Sequence, residues 1–314
     1  MTVSGDPVQA LGAPGTVRGR VRRRRSVDVG GVVIGGGSLL LVLAVVAAGL
    51  LTHYDPNEIV GPARSAPSGA HLFGTDQLGR DVLARTLFGG QQTLTIAALS
   101  TLLATVVGVP IGLFAGYVGG LRAGASMRVM DVLLAFPGIL LALIVITIGG
   151  TGRGSAILAV GISFVPVFAR VVYGSTQRAR AEEYIAAAQV VGCSSTRIMV
   201  RHVLPVVLIE VVVLASAAIG WTTLLSASLN FLGFGVAPPT AEWGADLGAG
   251  TRYIAQAWWI SAAPGLAVTL TILLSNFLGD HVAKRLAAPR ADVVAAVPTE
   301  LIATPATDPT PREA

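Results

Sequence analysis

The sequence is poor in the residues that build disulfide frameworks, metal clusters and nucleotide-binding loops. Cysteine occurs once, as Cys193, which excludes an intrachain disulfide framework and a cysteine-based zinc cluster. Lysine also occurs once, as Lys284, and its setting in GDHVAKR does not fit a P-loop, whose lysine reaches the phosphates of ATP. The four histidines are far apart, and none forms an HExxH pair. These absences argue against an ATPase, a metalloenzyme and a disulfide-stabilised domain.

Charge is also scarce, and apolar residues are abundant. Charged residues make up 12% of the 314 positions and hydrophobic residues 53%, with a mean hydropathy of +0.72; soluble domains carry roughly 25% charge. Too few charges remain to solvate a soluble globule of this size. Six apolar segments approach the length of about 20 residues that crosses a bilayer as a helix. We therefore predict an all-α polytopic membrane protein with six transmembrane helices, at Val29–Leu51, Leu94–Val118, Met130–Ile148, Ser155–Tyr173, Val206–Leu232 and Ala257–Gly279.

The positions of the basic residues predict how the spans are oriented across the membrane. The net charge is +5, and six arginines fall between residues 18 and 25, directly before the first apolar segment. Such a cluster is typical of a cytoplasmic tail beside anionic lipid, so it does not call for nucleic acid as a partner. A signal peptide is the alternative, but the apolar segment is too long for one and no clear cleavage site precedes His53. Six crossings then return the C-terminus to the cytoplasm.

The chain divides accordingly into five segments. Residues 1–28 form a basic cytoplasmic tail, 29–51 the N-terminal transmembrane helix, and 52–90 an extracytoplasmic segment. Residues 91–286 contain the other five spans. The last segment, 287–314, is rich in Ala, Pro and Thr and has no helical apolar stripe, which predicts a disordered cytoplasmic tail.

The loop between the fourth and fifth spans, about residues 176–205, is the most informative stretch. Tyr184, Ala187, Ala188 and Val191 follow the i, i+3, i+4, i+7 spacing that places them on one face of a short helix. We expect Gly192 to end that helix. Ser194, Ser195 or Thr196 would then cap a second short helix that ends at Pro205. Spacing alone leaves two interpretations open: a helix that docks on a partner protein, or an amphipathic loop on the lipid head groups.

Polar residues near the ends of the spans allow further predictions. Thr75 or Asp76 is expected to cap an interfacial helix that turns Leu78, Val82 and Leu83 toward lipid.

Two carboxylates, Asp131 and Glu210, fall within predicted spans near the cytoplasmic side. A charge at the bilayer centre costs at least ~2.5 kcal/mol. Pairing with Arg128 or Arg170 is therefore favoured over a role in binding a proton or substrate.

The loop at 176–205 resembles the EAA loop of type I ABC importer permeases, roughly EAAxxxG, nine residues, then IxLP. Five positions match at the correct spacing: Ala187, Ala188, Gly192, Leu204 and Pro205. Ala186 stands at the usual Glu position and His202 at the usual Ile position. The EEYIAAA start, with Glu182, Glu183 and Tyr184, and the RHVLP ending resemble the dipeptide, oligopeptide and nickel branch.

Three further segments resemble the same branch and extend the likeness over about residues 25–290. HLFGTDQLGRD at 71–81 resembles the segment before the second span, whose matching positions are Gly74, Thr75, Asp76, Gly79, Arg80 and Asp81. NFLGFG at 230–235, with the later PP and WG, resembles an outer loop. FLGD at 277–280 resembles a segment close to the last span. These likenesses point to the C-type subunit, with one N-terminal helix added to a five-helix type I core.

The resemblance implies a non-catalytic permease subunit in the cytoplasmic membrane of a prokaryote. It implies a second permease subunit, two ATP-binding subunits and an extracytoplasmic substrate-binding protein as partners. ATP and Mg²⁺ would be bound by the ATPase subunits, and this chain would need neither a cofactor nor a metal of its own. The EAA-type loop would be the coupling helix that seats in an ATPase cleft, and either Glu182 or Glu183 would face that subunit.

Peptides are the expected cargo, with nickel or another small solute as the alternative, and no substrate-binding residue is assigned. A carrier driven by an ion gradient is the alternative from a different class. Such carriers often contain inverted repeats and charges at the membrane midplane. The half from Leu94 to Tyr173 does not recur in Val206–Gly279, and no paired midplane carboxylates are found.

Overall fold

The computed structural model describes residues 29–295, and within that range the chain consists of helices and turns. Two isolated antiparallel bridges, Ile59 with Arg80 and Thr75 with Asp81, are the extended pairings in the segment before the second long helix. The predicted basic tail at 1–28 and the positions 296–314 lie outside the described residues. The helices are α1 Val29–Val46, α2 Ala48–Leu51, α3 Val82–Val118, α4 Gly120–Ala135, α5 Gly138–Gly149, α6 Arg153–Arg180, α7 Glu183–Val190, α8 Ser195–Ile198, α9 Leu204–Phe231, α10 Trp243–Thr251 and α11 Trp259–Ala295.

Four helices are long and apolar enough to cross a membrane. They are α3, α6, the continuous helix over residues 195–231, and Trp259–Leu286 of α11. α4 and α5 supply a fifth if the two are counted as one span, and α1 contains a shorter apolar helix, Val33–Val46. The prediction of an all-α protein with several spans is confirmed. Length and composition of the described helices give four or five spans, so the count of six is not confirmed.

The third predicted span, Met130–Ile148, is not one straight helix. It is broken between α4 and α5, which meet at an angle of 97°. Phe136 has an extended backbone, with φ −85° and ψ 138°, because the ring of the following Pro137 disfavours the helical conformation there. Pro137 also has no N–H to continue the hydrogen-bond ladder of α4. A segment that is apolar apart from Asp131 and Thr147 therefore folds as two half-helices.

The bundle is centred on α3 and α6, which run parallel and in close contact. Gly108, Gly112 and Gly116 recur every fourth residue on the α3 face that meets α6. A methyl group on Gly108 would lie 2.7 Å from Phe168 Cβ, and one on Gly116 would lie 2.7 Å from Thr176 Cβ. Small residues at this spacing let two helix backbones approach where no hydrophobic effect drives association.

The long helices extend past the apolar segments from which they were predicted. α3 begins at Val82 and not near Leu94, and α6 continues to Arg180. α11 continues to Ala295, into the segment 287–314 that was predicted to be disordered. Four of the nine residues 287–295 are alanine, the strongest helix former, although Pro289, Val293 and Val294 disfavour a helix.

Candidate coupling segment and charged cluster

α7 is the first helix of the predicted coupling loop, and it is held to the bundle by one buried side chain. Ile185 is 1% exposed and packs in a cluster with Ile198, Val203 and the α6 residues Phe168 and Val172. Ala188, one turn later, lies partly buried against the same cluster. The inward face of α7 is therefore centred on Ile185 and not on the predicted set around Tyr184.

The outward face of α7 is apolar and exposed. Val190 is 88% exposed and Val191 83%, while Tyr184 is 46% exposed. Ala187 is exposed between them. Three of the four residues predicted to share a face thus point away from the bundle. Contiguous exposed apolar side chains on a helix mark a surface that another molecule covers.

The acidic residues stand at the start of α7. Glu182 is the N-cap position and Glu183 the first helical residue, and both are exposed. Negative charge at this end complements the helix dipole, so it stabilises α7 even with no partner bound. Both carboxylates remain available to a partner surface.

Gly192 ends α7 in a Schellman motif. Its N–H donates to the Gln189 carbonyl at 3.0 Å, and the Cys193 N–H donates to the Ala188 carbonyl at 3.0 Å. Gly192 has φ +86°, a left-handed conformation that favours glycine. Its surroundings are open, so conformation and not crowding sets the requirement for glycine here. The prediction that Gly192 ends the helix is confirmed.

The second helix of the loop differs from the prediction. Ser194 caps it through a hydrogen bond from the Arg197 N–H at 3.4 Å, as expected. The helix does not end at Pro205. α8 continues through a π-helical turn, Met199–Val203, into α9, where Pro205 occupies the first turn. The wider turn accommodates a proline that cannot donate to the preceding turn, so residues 195–231 form one helix.

At the N-terminal end of α3, far from α7, a buried charged cluster is found where an interfacial helix was predicted. The cluster contains Asp76, Arg80, Asp81, Arg85 and Asp246. Neither Thr75 nor Asp76 caps a helix, so that prediction is wrong. Asp76 Oδ1 accepts hydrogen bonds from the N–H groups of Leu78 and Arg80, and its Oδ2 accepts from Arg80 Nε at 2.6 Å.

The helix cap at this end is Asp81, and its carboxylate contacts both the first turn of α3 and the side chain of His71. Asp81 Oδ1 accepts from the Ala84 N–H at 2.8 Å and so caps α3. Its Oδ2 lies 2.9 Å from His71 Nδ1. Because α3 starts here, Val82 is buried at 3% exposure, whereas the prediction turned it toward lipid; Leu78 is exposed as expected. The Asp76 carboxylate accepts hydrogen bonds from nearby backbone N–H groups, so it cannot cap a helix, and α3 starts five residues later, after Asp81.

Arg85 joins the charged cluster to α10. Its guanidinium forms a buried ion pair with Asp246 and lies 3.7 Å from Asp76 Oδ2. It also donates to the carbonyl of Pro56 at 2.9 Å. Burial raises the pKa of Asp246 above its ordinary value, and Arg85 opposes that rise. Arg85 is therefore a counter-charge to both Asp246 and Asp76, and it also ties α3 to the segment around Pro56.

Glu242 is a functional candidate that sequence reasoning missed. It caps α10 through a hydrogen bond from the Ala245 N–H to Oε2 at 2.9 Å and is fully buried. Burial raises its pKa from 4.5 to about 7, against the lowering effect of its hydrogen bonds. An acidic residue directly before the Trp-Gly pair was the available signal, since carboxylates are favoured caps.

The two carboxylates within the predicted spans are both paired. Asp131 forms an ion pair with Arg170, as predicted. Glu210 pairs with Arg178 at 2.8 Å and with neither predicted arginine. All four side chains are more than a third exposed, so these pairs lie on the bundle surface.

Comparison with known proteins identifies the class of this arrangement. Residues 108–288 match the family described as the inner membrane component of binding-protein-dependent transport systems. The chain belongs to that family. The match includes α6, the loop at 176–205 and α9. It begins after Asp76, Arg80, Asp81 and Arg85 of the charged cluster and includes the fifth member, Asp246.

Relatives of this inner membrane component carry transport names. The GsiD permease of a glutathione transport system from Pectobacterium atrosepticum is 42% identical over 214 residues, which are 68% of this chain and 71% of the relative. A Brucella suis protein, provisionally named as the permease of a peptide transport system, is 38% identical over 262 residues, 83% of this chain and 87% of the relative.

The fold is similar to that of an ABC permease in solved structures. A chain of the MetNI methionine ABC transporter in an inward-facing crystal form superposes with a TM-score of 0.54 at 19% identity, covering 65% of this chain and 95% of that one. A second crystal form gives a TM-score of 0.53 at 21% identity, with coverage of 63% and 94%. This likeness concerns the fold.

Proposed function

We propose that this inner membrane component is the permease subunit of an ATP-driven importer of di- and oligopeptides. It would form the translocation path together with a second permease and meet ATPase subunits through α7. The observation that carries the proposal is the exposed apolar face of α7, where Val190 and Val191 are more than four-fifths exposed on a helix anchored by buried Ile185. The peptide and glutathione systems named for the relatives support the cargo class.

The packing of α7 gives a route by which ATPase movement reaches the spans. Ile185 shares one apolar cluster with Phe168 of α6 and Val207 of α9. The Arg180 guanidinium, just before α7, lies 5.7 Å from the ring centroid of Tyr117 near the end of α3. A displaced α7 therefore shifts contacts with three spans, which is the differential contact that alternating access requires.

The proposed topology has six spans with both termini in the cytoplasm. α1 would be the first span and the bent α4–α5 pair the third. The coupling segment and the ends of α3 and α6 would then lie at the cytoplasmic face, and the charged cluster outside. Arg178, Arg180, Arg197 and Arg201 near the coupling segment agree with the positive-inside rule.

The proposed partners are a second permease, two ATP-binding subunits and an extracytoplasmic substrate-binding protein. ATP and Mg²⁺ would bind to the ATPase subunits, since the single lysine of this chain has no P-loop setting. The chain's own contribution would be mechanical: it forms a path and transmits motion.

The test places a charge on the outward face of α7. Val190→Glu should lower co-purification of the ATPase by about tenfold, because a buried unpaired charge at the centre of an interface is costly. Leu121→Glu is the matched control, since Leu121 is 95% exposed at the start of α4, at the same end of the bundle. Both variants would be tagged, co-expressed with the genomic neighbours and purified in mild detergent.

Two results would contradict the proposal. Equal loss of the ATPase in both variants would show that charge at this end, and not the α7 face, matters. Absence of any ATPase from well-expressed wild-type material would favour a carrier driven by an ion gradient.

A further inference from the structure

The break between α4 and α5 leaves irregular backbone exposed at the middle of a span. Residues 135–138 are all exposed. The depth of the break is fixed by Ser163, whose hydroxyl lies 3.3 Å from the Gly138 carbonyl. Ser163 is ten residues into α6, about 15 Å from its first residue at 1.5 Å per residue. A bilayer core is about 30 Å thick, which puts the break near its centre.

Exposed backbone at this depth restricts what the surface can face. In the first turn of α5, the N–H groups of Leu140 and Leu141 donate to the Pro137 carbonyl at 2.9 and 3.2 Å, whereas those of Gly138 and Ile139 have no preceding helical turn to bond with. Pro137 also ends the hydrogen-bond ladder of α4. In hydrocarbon each unsatisfied polar group costs several kcal/mol, so irregular backbone at membrane depth is found where it is buried in protein or lines a water-filled cavity. The exposed break therefore does not face lipid.

A groove opens directly beside the break. Its volume is about 410 Å³, within the range of small-molecule binding sites. Trp221 and Leu224 of α9 form one wall, both exposed, and Phe136 at the break forms another. Ser228, one turn after Leu224, contributes a hydroxyl oxygen that can accept a hydrogen bond, while its proton is donated to the Leu224 carbonyl at 2.8 Å. The lining thus combines aromatic and aliphatic surface with hydrogen-bonding groups.

This combination favours a peptide as the occupant over a helix of a second subunit. A membrane helix satisfies its own backbone groups internally and presents only side chains. A short peptide in extended form offers free N–H and C=O groups to the break and apolar side chains to the rings. Water can take the place of the peptide backbone between transport cycles.

We propose that the groove between the α4–α5 break and Trp221 is a binding site on the translocation path, where Trp221 contacts the side chains of the transported peptide. This inference rests on the proposed peptide-importer function and adds a residue that sets cargo preference. Trp221 supplies a large, flat apolar surface, so its contribution grows with the size of the cargo side chain.

The first experiment measures cargo preference in the complete transporter, reconstituted with its own ATPases and binding protein. Uptake of dialanine and dileucine would be compared in wild type, Trp221→Ala and Trp221→Phe. Trp221→Ala should lower dileucine uptake relative to dialanine by about tenfold, the scale of discrimination for lost apolar contacts. Trp221→Phe should restore most of the preference. Trp258→Ala, which removes a 61% exposed tryptophan outside the groove, should leave the ratio unchanged.

A second experiment tests water and peptide access without requiring transport. In a Cys193→Ser background, Ser228→Cys should react with a water-soluble maleimide, and dileucine should slow that reaction. Leu102→Cys is the control, because Leu102 is 56% exposed on α3, away from the break, and lies outside the groove lining. A thiol facing lipid does not ionise and should stay unreactive.

The outcomes separate this inference from the function on which it rests. An unchanged uptake ratio in Trp221→Ala, with Ser228→Cys unreactive, would overturn the groove assignment alone. Loss of the second permease from purified Trp221→Ala would show that the groove is a subunit contact and would also overturn it. Wild type that binds its ATPase yet imports neither peptide would overturn the peptide function, and the groove assignment with it.

Discussion

Thr93 and Glu242, 149 residues apart in sequence, are joined by a hydrogen bond of 2.7 Å from the threonine hydroxyl to Oε1. The same hydroxyl oxygen accepts the Trp243 N–H at 3.2 Å. A carboxyl group that caps α10 is thereby fixed to the side of α3, inside the protein. The pair ties the segment between α9 and α11 to the centre of the bundle, and its carboxyl group has a pKa near neutrality.

Stability of the purified protein should fall as pH rises from 5 to 8. The pKa of Glu242 is about 7 in the fold and 4.5 ordinarily, so between these values the folded state holds a proton that the unfolded state has lost. The neutral carboxyl stabilises fully below pH 4.5, and the advantage is gone above pH 7. The difference corresponds to about 3 kcal/mol.

Glu242→Gln should remove this dependence while keeping the cap, because its amide can donate to Thr93 and its carbonyl oxygen can accept from Ala245. Melting temperatures in detergent across pH 5 to 8 would show it as a flat profile. A Gln variant whose profile still slopes like that of wild type would mean that another group titrates.

Removing Arg85 should destabilise the protein by about 3–5 kcal/mol, because it leaves the buried Asp246 without its counter-charge. Arg85→Met combined with Asp246→Leu should recover much of that loss, since neither charge is then buried alone. Chemical denaturation of the two single variants and the double variant, read as a double-mutant cycle, gives the coupling. Strictly additive effects would show that the ion pair contributes nothing.

Gly112→Ala should weaken the contact between α3 and α6. The added methyl would overlap the Ala169 carbonyl and lie 2.8 Å from Val172 Cβ, and overpacking of this kind costs about 1–3 kcal/mol. Gly124→Ala is the matched control, because a methyl there meets nothing within 4 Å and alanine favours a helix. Thermal unfolding in detergent should separate the two, and equal melting temperatures would contradict the packing described.

Gly192→Val should disturb the end of α7, whereas Gly192→Asn should be tolerated. Both side chains enter open space, so the difference arises from φ +86°, which asparagine adopts far more readily than a β-branched residue. We expect ATPase co-purification to fall in the valine variant and to persist in the asparagine variant. Loss in both would mean that the partner packs directly on this glycine.

The sequence predicted features that depend on local chemistry. Apolar length predicted the long helices, although the count of six spans is not confirmed. Gly192 predicted the helix end, and the Ser194-Ser195-Thr196 run predicted the cap that follows. Asp131 pairs with Arg170, one of the two arginines predicted for it, because a charge in an apolar segment favours a partner at a similar depth. Glu210 pairs with Arg178, which was not predicted.

Features that depend on competition between distant groups were missed. Asp76 could either cap a helix or bond to the loop around it. Because Arg80 and local N–H groups bind its carboxylate, Asp81 caps the helix instead. The environment of Glu242 depends on Thr93, which sequence spacing cannot connect to it. Pro137 was a signal for the break, but the span was predicted from hydropathy, which does not change at a proline within an apolar segment.

The unbroken helix from Ser195 to Phe231 has a mechanical consequence. Trp221 lies 26 residues from Ser195, a lever of about 39 Å at 1.5 Å per residue. The wide turn at Met199–Val203 keeps the helix continuous. Thr222, next to Trp221, donates to the Ala97 carbonyl of α3 at 3.2 Å, so any tilt of the first turn beside α7 would be carried along one helix to its contact with α3. One helix thus joins the segment that follows α7 to the wall of the groove beside Trp221.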